Sequence, residues 1–170
     1  MTLVIPLLGV VSLFGSTSAA ADYPLAPSFS CTTLSGTKLT SDTLAEGRPY
    51  VVLIFFGVNC KPCQTKIAQL NAVWRNDRFR EKARIYAVNA DGFDAARLSA
   101  EVAKRQISID FPVVVDDNQV ITNLYVDRIV PLTVVIGNRD RILLTSIGAR
   151  VDSVRKIEEM ILAGKDACDK

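Results

Sequence analysis

The sequence predicts an α/β layer fold built on a mixed β-sheet, and three observations predict it. Strand-type and helix-type segments alternate through the middle of the chain. One strand segment, residues 51–56, is apolar without polar alternation, and a β-hairpin followed by a helix closes the chain. Alternation implies parallel strands joined by helices, and the unbroken apolar run suits a central strand covered on both faces. The closing hairpin adds antiparallel pairing, which makes the sheet mixed. With 170 residues and 49% hydrophobic content, the chain can bury one substantial core and is short for two. A single domain over residues 22–170 is therefore expected.

The elements follow in order. Pro24 and Pro27 mark an extended lead-in, after which residues 29–32 and 37–40 flank Leu34-Ser35-Gly36 as a short N-terminal hairpin extension. Ser41-Asp42 is expected to cap a helical turn over 43–46, which Gly47 and Pro49 end. Strand 51–56 leads to Cys60-Lys61-Pro62-Cys63, and Ile67, Leu70 and Trp74 then recur at helical spacing, giving a helix expected to end near Asn76. Ile85, Ala87 and Val88 mark a second strand, and Ala95, Leu98 and Val102 line one side of the next helix. Pro112 introduces a third strand at Val113-Val114-Val115. Asp116-Asp117-Asn118 supplies a turn and a cap for a helix over 120–125. Past Pro131, residues 132–136 and 141–145 flank the turn 137–140 as a hairpin, and a last helix carries Val151, Val154, Ile157 and Ile161 on one face.

The first segment stands apart from this fold. Residues 3–14 are apolar apart from Pro6, Gly9 and Ser12, and small residues fill 15–21. The pattern reads as an export signal over 1–21, cleaved after Ala20 or Ala21, although no Lys or Arg precedes Lys38. The alternative is a retained N-terminal membrane anchor, for which the run is short of the roughly 20 apolar residues that span a bilayer. Either way the expected location is periplasmic or otherwise extracytoplasmic.

Composition removes several kinds of chemistry. A formal net charge of +2 with no basic block gives no footprint for nucleic acid. No histidine occurs, so Cys–His and Ser–His pairs, His-ligated haem and imidazole zinc sites are excluded. No metal and no cofactor is expected beyond a redox-active cysteine pair.

That pair is the chemical centre of the sequence. A thiol at a helix start faces unpaired backbone N–H groups and the positive end of the helix dipole, so its thiolate is favoured. Cys60 is thus the candidate nucleophile. Cys63, three residues on in the first turn, lies within the separation that a disulfide tolerates and is the candidate resolving thiol. Lys61 adds a positive charge beside Cys60, a modest effect if exposed. Pro62 is tolerated in a first helical turn because its missing N–H costs no hydrogen bond there.

The order of strand, Cys-x-Pro-Cys at a helix start, strand, helix, strand, helix, Val-Pro, hairpin and helix resembles the thioredoxin fold. More narrowly the chain resembles the exported TlpA/ResA-like thiol–disulfide oxidoreductases, through Ala26-Pro27-x-Phe29, Gly36-x-Lys38-Leu39, Gly47-Arg48-Pro49 and Phe111-Pro112-Val113-Val114. The resemblance covers residues 26–162 and implies extracytoplasmic thiol reduction, including work in cytochrome c maturation. Its implied partners are protein disulfides, apocytochrome c among them, and a membrane thiol transporter as electron donor. It also matches Val130-Pro131 to the position where this fold keeps a cis-proline beside the disulfide, which would leave the Val130 backbone free to pair with extended substrate.

The chain departs from that pattern in three places. Asn59 stands where the family usually has Trp before the first Cys. Lys66 stands where many members have Glu, and the expected reading is a solvated helix residue. Its positive charge would otherwise favour the Cys63 thiolate. Residues 51–56 also lack the buried Asp of thioredoxins themselves, so the base for Cys63 is unassigned.

The leading expectation is therefore a disulfide reductase working through the Cys60–Cys63 dithiol. The alternative is a copper-binding or chaperone module in which the two thiolates hold a soft ion without redox turnover, although two thiols alone make an incomplete set. Cys31 and Cys168 either pair across a long loop or leave Cys31 as a small buried residue on the hairpin.

Overall fold

A computed structural model describes residues 23–126 and 129–164 of the chain. The expected export segment and Cys168 lie outside the described residues. The mixed sheet has seven strands: β1 (Ser30–Thr33), β2 (Lys38–Thr40), β3 (Tyr50–Phe56), β4 (Ala83–Asn89), β5 (Val113–Val115), β6 (Leu132–Ile136) and β7 (Ile142–Ile147). Their order is β2-β1-β5-β4-β3-β6-β7. β3 and β5 pair with β4 in parallel, and β6 runs antiparallel to β3 with Phe55 opposite Leu132. This is an α/β, thioredoxin-like fold, and the N-terminal hairpin joins its sheet through β1 and β5.

The burial of β3 explains its lack of polar alternation. Tyr50, Val52, Ile54 and Phe56 enter one core, whereas Val51, Leu53 and Phe55 enter another on the opposite face. Among the described residues six α-helices cover the sheet: α1 (Ser41–Leu44), α2 (Lys61–Trp74), α3 (Asp77–Lys82), α4 (Ala95–Lys104), α5 (Val120–Tyr125) and α6 (Val151–Leu162). The first core takes Ile67, Leu70 and Trp74 from α2, Phe79 from α3, Leu98 from α4 and Val154, Ile157 and Ile161 from α6. The second takes Leu44 from α1 and Ile121 from α5, with Phe29 and Tyr125 packed against it.

Several expectations shift for local reasons. α1 begins two residues early because Thr40 takes the cap position, its backbone N–H donating to Thr43 Oγ1 at 2.8 Å. The Ser41 hydroxyl is committed elsewhere: it accepts from Phe29 N at 2.6 Å. The helix expected to run to Asn76 stops at Trp74, since the Asn76 side chain accepts from Arg78 N at 3.1 Å and starts the separate α3. Val151, expected on the buried face of α6, is 69% exposed because it occupies the first helical position, beyond the sheet-facing stripe. On α4 only Leu98 is fully buried, whereas Ala95 is exposed and Val102 half-buried. The cap expected for α5 comes from Asp116, whose buried carboxylate accepts from Ile121 N at 3.1 Å and Thr122 N at 2.7 Å.

Candidate active site

β3 delivers the cysteine pair to the end of the sheet. After Phe56 the chain makes a turn in which Cys60 N donates to Gly57 O at 3.1 Å, and α2 starts at Lys61. Cys60 is the N-cap of α2, and Cys63 N donates to its Sγ at 3.1 Å. The sulfur thereby receives a backbone N–H that would otherwise be an orphan, and the same bond favours a thiolate once the pair is reduced. Cys60 and Cys63 form a disulfide with Cα atoms 5.1 Å apart. The two sulfurs are not equivalent, because Cys60 is partly exposed and Cys63 has no accessible surface. Lys61 and Pro62 are exposed between them.

The Val130–Pro131 peptide bond is cis, and Val130 O lies 3.8 Å from Cys60 Sγ. Gly148 N donates to Pro131 O at 2.8 Å, which ties this corner to the end of β7. Asn59 is exposed, and its side-chain oxygen accepts from Arg105 Nε at 2.9 Å, with Arg105 also paired to Glu101. The residue in place of the family's aromatic neighbour is thus tethered to the C-terminal end of α4.

Two positioning residues escaped the sequence reading. The Asp91 carboxylate accepts from Val58 N and from Asn89 Nδ2, both at 2.8 Å, and so holds the turn before Cys60 to the end of β4. Gly57 lies directly over it: a Cβ built there would sit 3.0 Å from Asp91 Oδ1. The only sequence signal was Asp91-Gly92 after a strand, which also marks ordinary turns. Asp91→Ala should lower stability by about 1–3 kcal/mol, since it leaves the buried Val58 N–H without a partner. Gly57→Ala should also destabilise the turn by pushing Asp91 aside. Thermal denaturation of the oxidised variants checks both, and unchanged melting would show that the carboxylate does not hold the turn.

Lys66 corrects an expectation outright. Rather than a solvated helix residue it is fully buried, with zero accessible surface. The reason is the packing of α6 on α2, which covers this position and offers Ser153 Oγ as acceptor for Lys66 Nζ at 2.5 Å. Burial pushes the pKa of this amine below the ordinary lysine value.

Cys31 is a free, half-buried thiol on β1, packed against the second core. Burial, and secondarily the charge of Asp116, push its pKa up to about 11, so it stays protonated and unreactive at neutral pH. Among the described residues no group of three or more His, Cys, Asp or Glu side chains converges as a metal-binding set.

The family model described as AhpC/TSA family matches residues 24–143, which span the whole site from the lead-in through the cysteine pair to the final hairpin. The chain belongs to the AhpC/TSA family. Within it, the thiol-disulfide oxidoreductase ResA of Bacillus thuringiensis (strain Al Hakam) is 30% identical over 125 residues, covering 72% of this chain and 68% of ResA. ResA of Geobacillus kaustophilus (strain HTA426) is 27% identical over 152 residues, covering 88% and 83%. This family member is a TlpA/ResA-like thiol–disulfide oxidoreductase. Its fold is also that of a chain described as a thiol:disulfide interchange protein DsbE from Chlorobium tepidum, with a TM-score of 0.68 at 24% identity over 83% of this chain and 95% of that one. StoA from Bacillus subtilis matches with a TM-score of 0.62 at 16% identity, over 79% and 96%.

Proposed function

We propose that this family member is an extracytoplasmic reductase of protein disulfides. The carrying observation is the asymmetry of the pair: a partly exposed Cys60 at a helix N-terminus, its sulfur 3.8 Å from the Val130 carbonyl oxygen, and a Cys63 with no accessible surface behind it. In the reduced protein the Cys60 thiolate attacks one sulfur of a substrate disulfide, and the other substrate sulfur leaves as a thiolate. Cys63, as thiolate, then attacks Cys60, restoring the intramolecular disulfide and releasing the second substrate sulfur. The substrate gains two electrons and two protons.

Cys60, Cys63, Val130 and Pro131 are the residues assigned to this reaction, with Val130 offering its backbone to an extended substrate segment. Lys61 supports the Cys60 thiolate from the surface. The absence of histidine between the cysteines favours reduction over oxidation, and an apolar start followed by small residues favours export. Cytochrome c maturation is the proposed setting, with apocytochrome c as substrate and a membrane thiol transporter as the electron source. No described helix is long and apolar enough to cross a membrane.

The direction is tested by equilibrating the protein in defined thiol–disulfide buffers and measuring the midpoint potential. A reductase should lie near or below about −200 mV, towards the thioredoxin value. A potential near about −120 mV, at the strongly oxidising end of this fold, would overturn the reductase reading.

A further inference from the structure

The resolving step has a difficulty that the cysteines alone do not solve. Cys63 attacks as a thiolate, yet its sulfur has no accessible surface, so bulk water cannot reach the proton it must lose. No acidic side chain lies on β3, and the sequence reading left the proton acceptor unassigned. The one ionisable side chain buried on the Cys63 face of α2 is Lys66, three residues on. Residues at this spacing have Cβ atoms about 5–6 Å apart, and a helical side chain leans back towards the N-terminus, here towards Cys63.

The environment of Lys66 is unusual for a lysine. Its Nζ makes one hydrogen bond, to Ser153 Oγ at 2.5 Å, and that hydroxyl donates in turn to Arg150 O at 2.6 Å. Ser153 therefore supplies no negative charge, and no described carboxylate pairs with Lys66. Asp152, its neighbour in sequence, is paired with Arg155 at the surface. The other ionisable groups on the packed elements are exposed Lys61 on α2, Arg150 at the start of α6, exposed Arg155, Lys156 and Glu159 further along it, and half-buried Glu158, which accepts from Asn76 Nδ2 at 3.4 Å just past the opposite end of α2, while β3 contributes only Tyr50. An ammonium held this way is short of a counter-charge, and burial favours the neutral amine, which keeps a lone pair.

We infer that Lys66 is the proton acceptor for the resolving cysteine: its neutral amine takes the proton of the Cys63 thiol when Cys60 is joined to substrate. This rests on the disulfide-reductase reading above. The step balances as follows. The Cys63 S–H bond breaks and a Lys66 N–H bond forms, giving a thiolate beside an ammonium. The thiolate attacks Cys60 Sγ, the bond from Cys60 to the substrate sulfur breaks, and its electron pair leaves on that sulfur. With the Cys63 charge consumed in the new disulfide, the ammonium again lacks a partner and passes its proton to solvent by way of its hydrogen-bond partner Ser153, which is only half-buried, and the departing substrate thiolate takes a proton from solvent. Ser153 is a positioning residue that holds the amine.

The test separates this step from the rest of the reaction. Reduced protein is mixed with glutathione disulfide, quenched in acid, and the Cys60–glutathione adduct is followed by mass spectrometry. In Lys66→Met the adduct should form at the wild-type rate but decay about 100-fold more slowly, the scale of a lost general base. The slow decay should also quicken with rising pH more steeply than in wild type. Ser153→Ala should slow decay by a smaller factor.

Adduct decay in Lys66→Met at the wild-type rate would overturn the assignment. Failure of wild type to form any adduct would instead sink the reductase reading itself. Should Lys66→Met not fold, the wild-type protein decides: with 13C-labelled lysine, the Lys66 Cε resonance should titrate at higher pH in the reduced protein, where a thiolate faces it, than in the oxidised one. Identical titration in both states would overturn the proposal.

Discussion

Cys60→Ser should abolish disulfide reduction, with turnover of a model protein disulfide falling by more than about 1000-fold, because the hydroxyl cannot replace the thiolate nucleophile. Cys63→Ser should behave differently. Its Cys60 still lies at the N-terminus of α2, but loses the sulfur proposed to resolve its adducts. Substrate should accumulate as a covalent mixed disulfide, visible on a non-reducing gel and reversed by dithiothreitol. The two variants together assign the roles, since interchangeable cysteines would give the same trapped adduct with either one left in place. Unchanged turnover in Cys60→Ser would eliminate the mechanism altogether.

Phe55→Ala should be the most damaging substitution outside the redox centre. Phe55 is fully buried in β3, and its ring lies 5.4 Å from that of Tyr125, which in turn meets Phe29 edge-on at 6.0 Å. Tyr125 also donates its hydroxyl to Pro27 O at 3.1 Å, so this stack fastens the lead-in to the sheet. Removing a buried phenyl ring costs about 3–5 kcal/mol, and a chain of this size should melt roughly 10 °C lower. Phe55 faces the core opposite the one that holds Cys63, so the midpoint potential should not move below the melting range. Calorimetry combined with a redox titration checks both parts, and a large change in potential would mean that the two faces are coupled.

The sheet and the placement of Cys60 at a helix start were legible because their signals are local. A short apolar run such as Val51 to Phe56 suits a strand covered on both sides, and a cysteine at a helix start carries its own electrostatic argument. The bounds of α5, and the β6–β7 pairing around the turn at 137–140, were readable for the same reason. What escaped depends on contacts between distant segments. Asp91 is 33 residues from the Val58 amide it anchors, and Lys66 is 87 residues from Ser153. A lysine between Thr65 and Ile67 has the pattern of a surface position, and only the arrival of α6 makes it an interior one. α3 was missed because its start depends on one side chain, Asn76, turning back to its own backbone.

The unequal access to the two sulfurs also limits how this centre can fail. Small disulfides and unintended protein disulfides can reach the dithiol only at Cys60, since Cys63 has no accessible surface. Any accidental conjugate is therefore formed on the one sulfur that Cys63 is placed to attack, and never on the sulfur that must do the attacking. Under the proposed mechanism every such conjugate ends in the same intramolecular disulfide. Burial of the second cysteine thus makes the centre self-clearing.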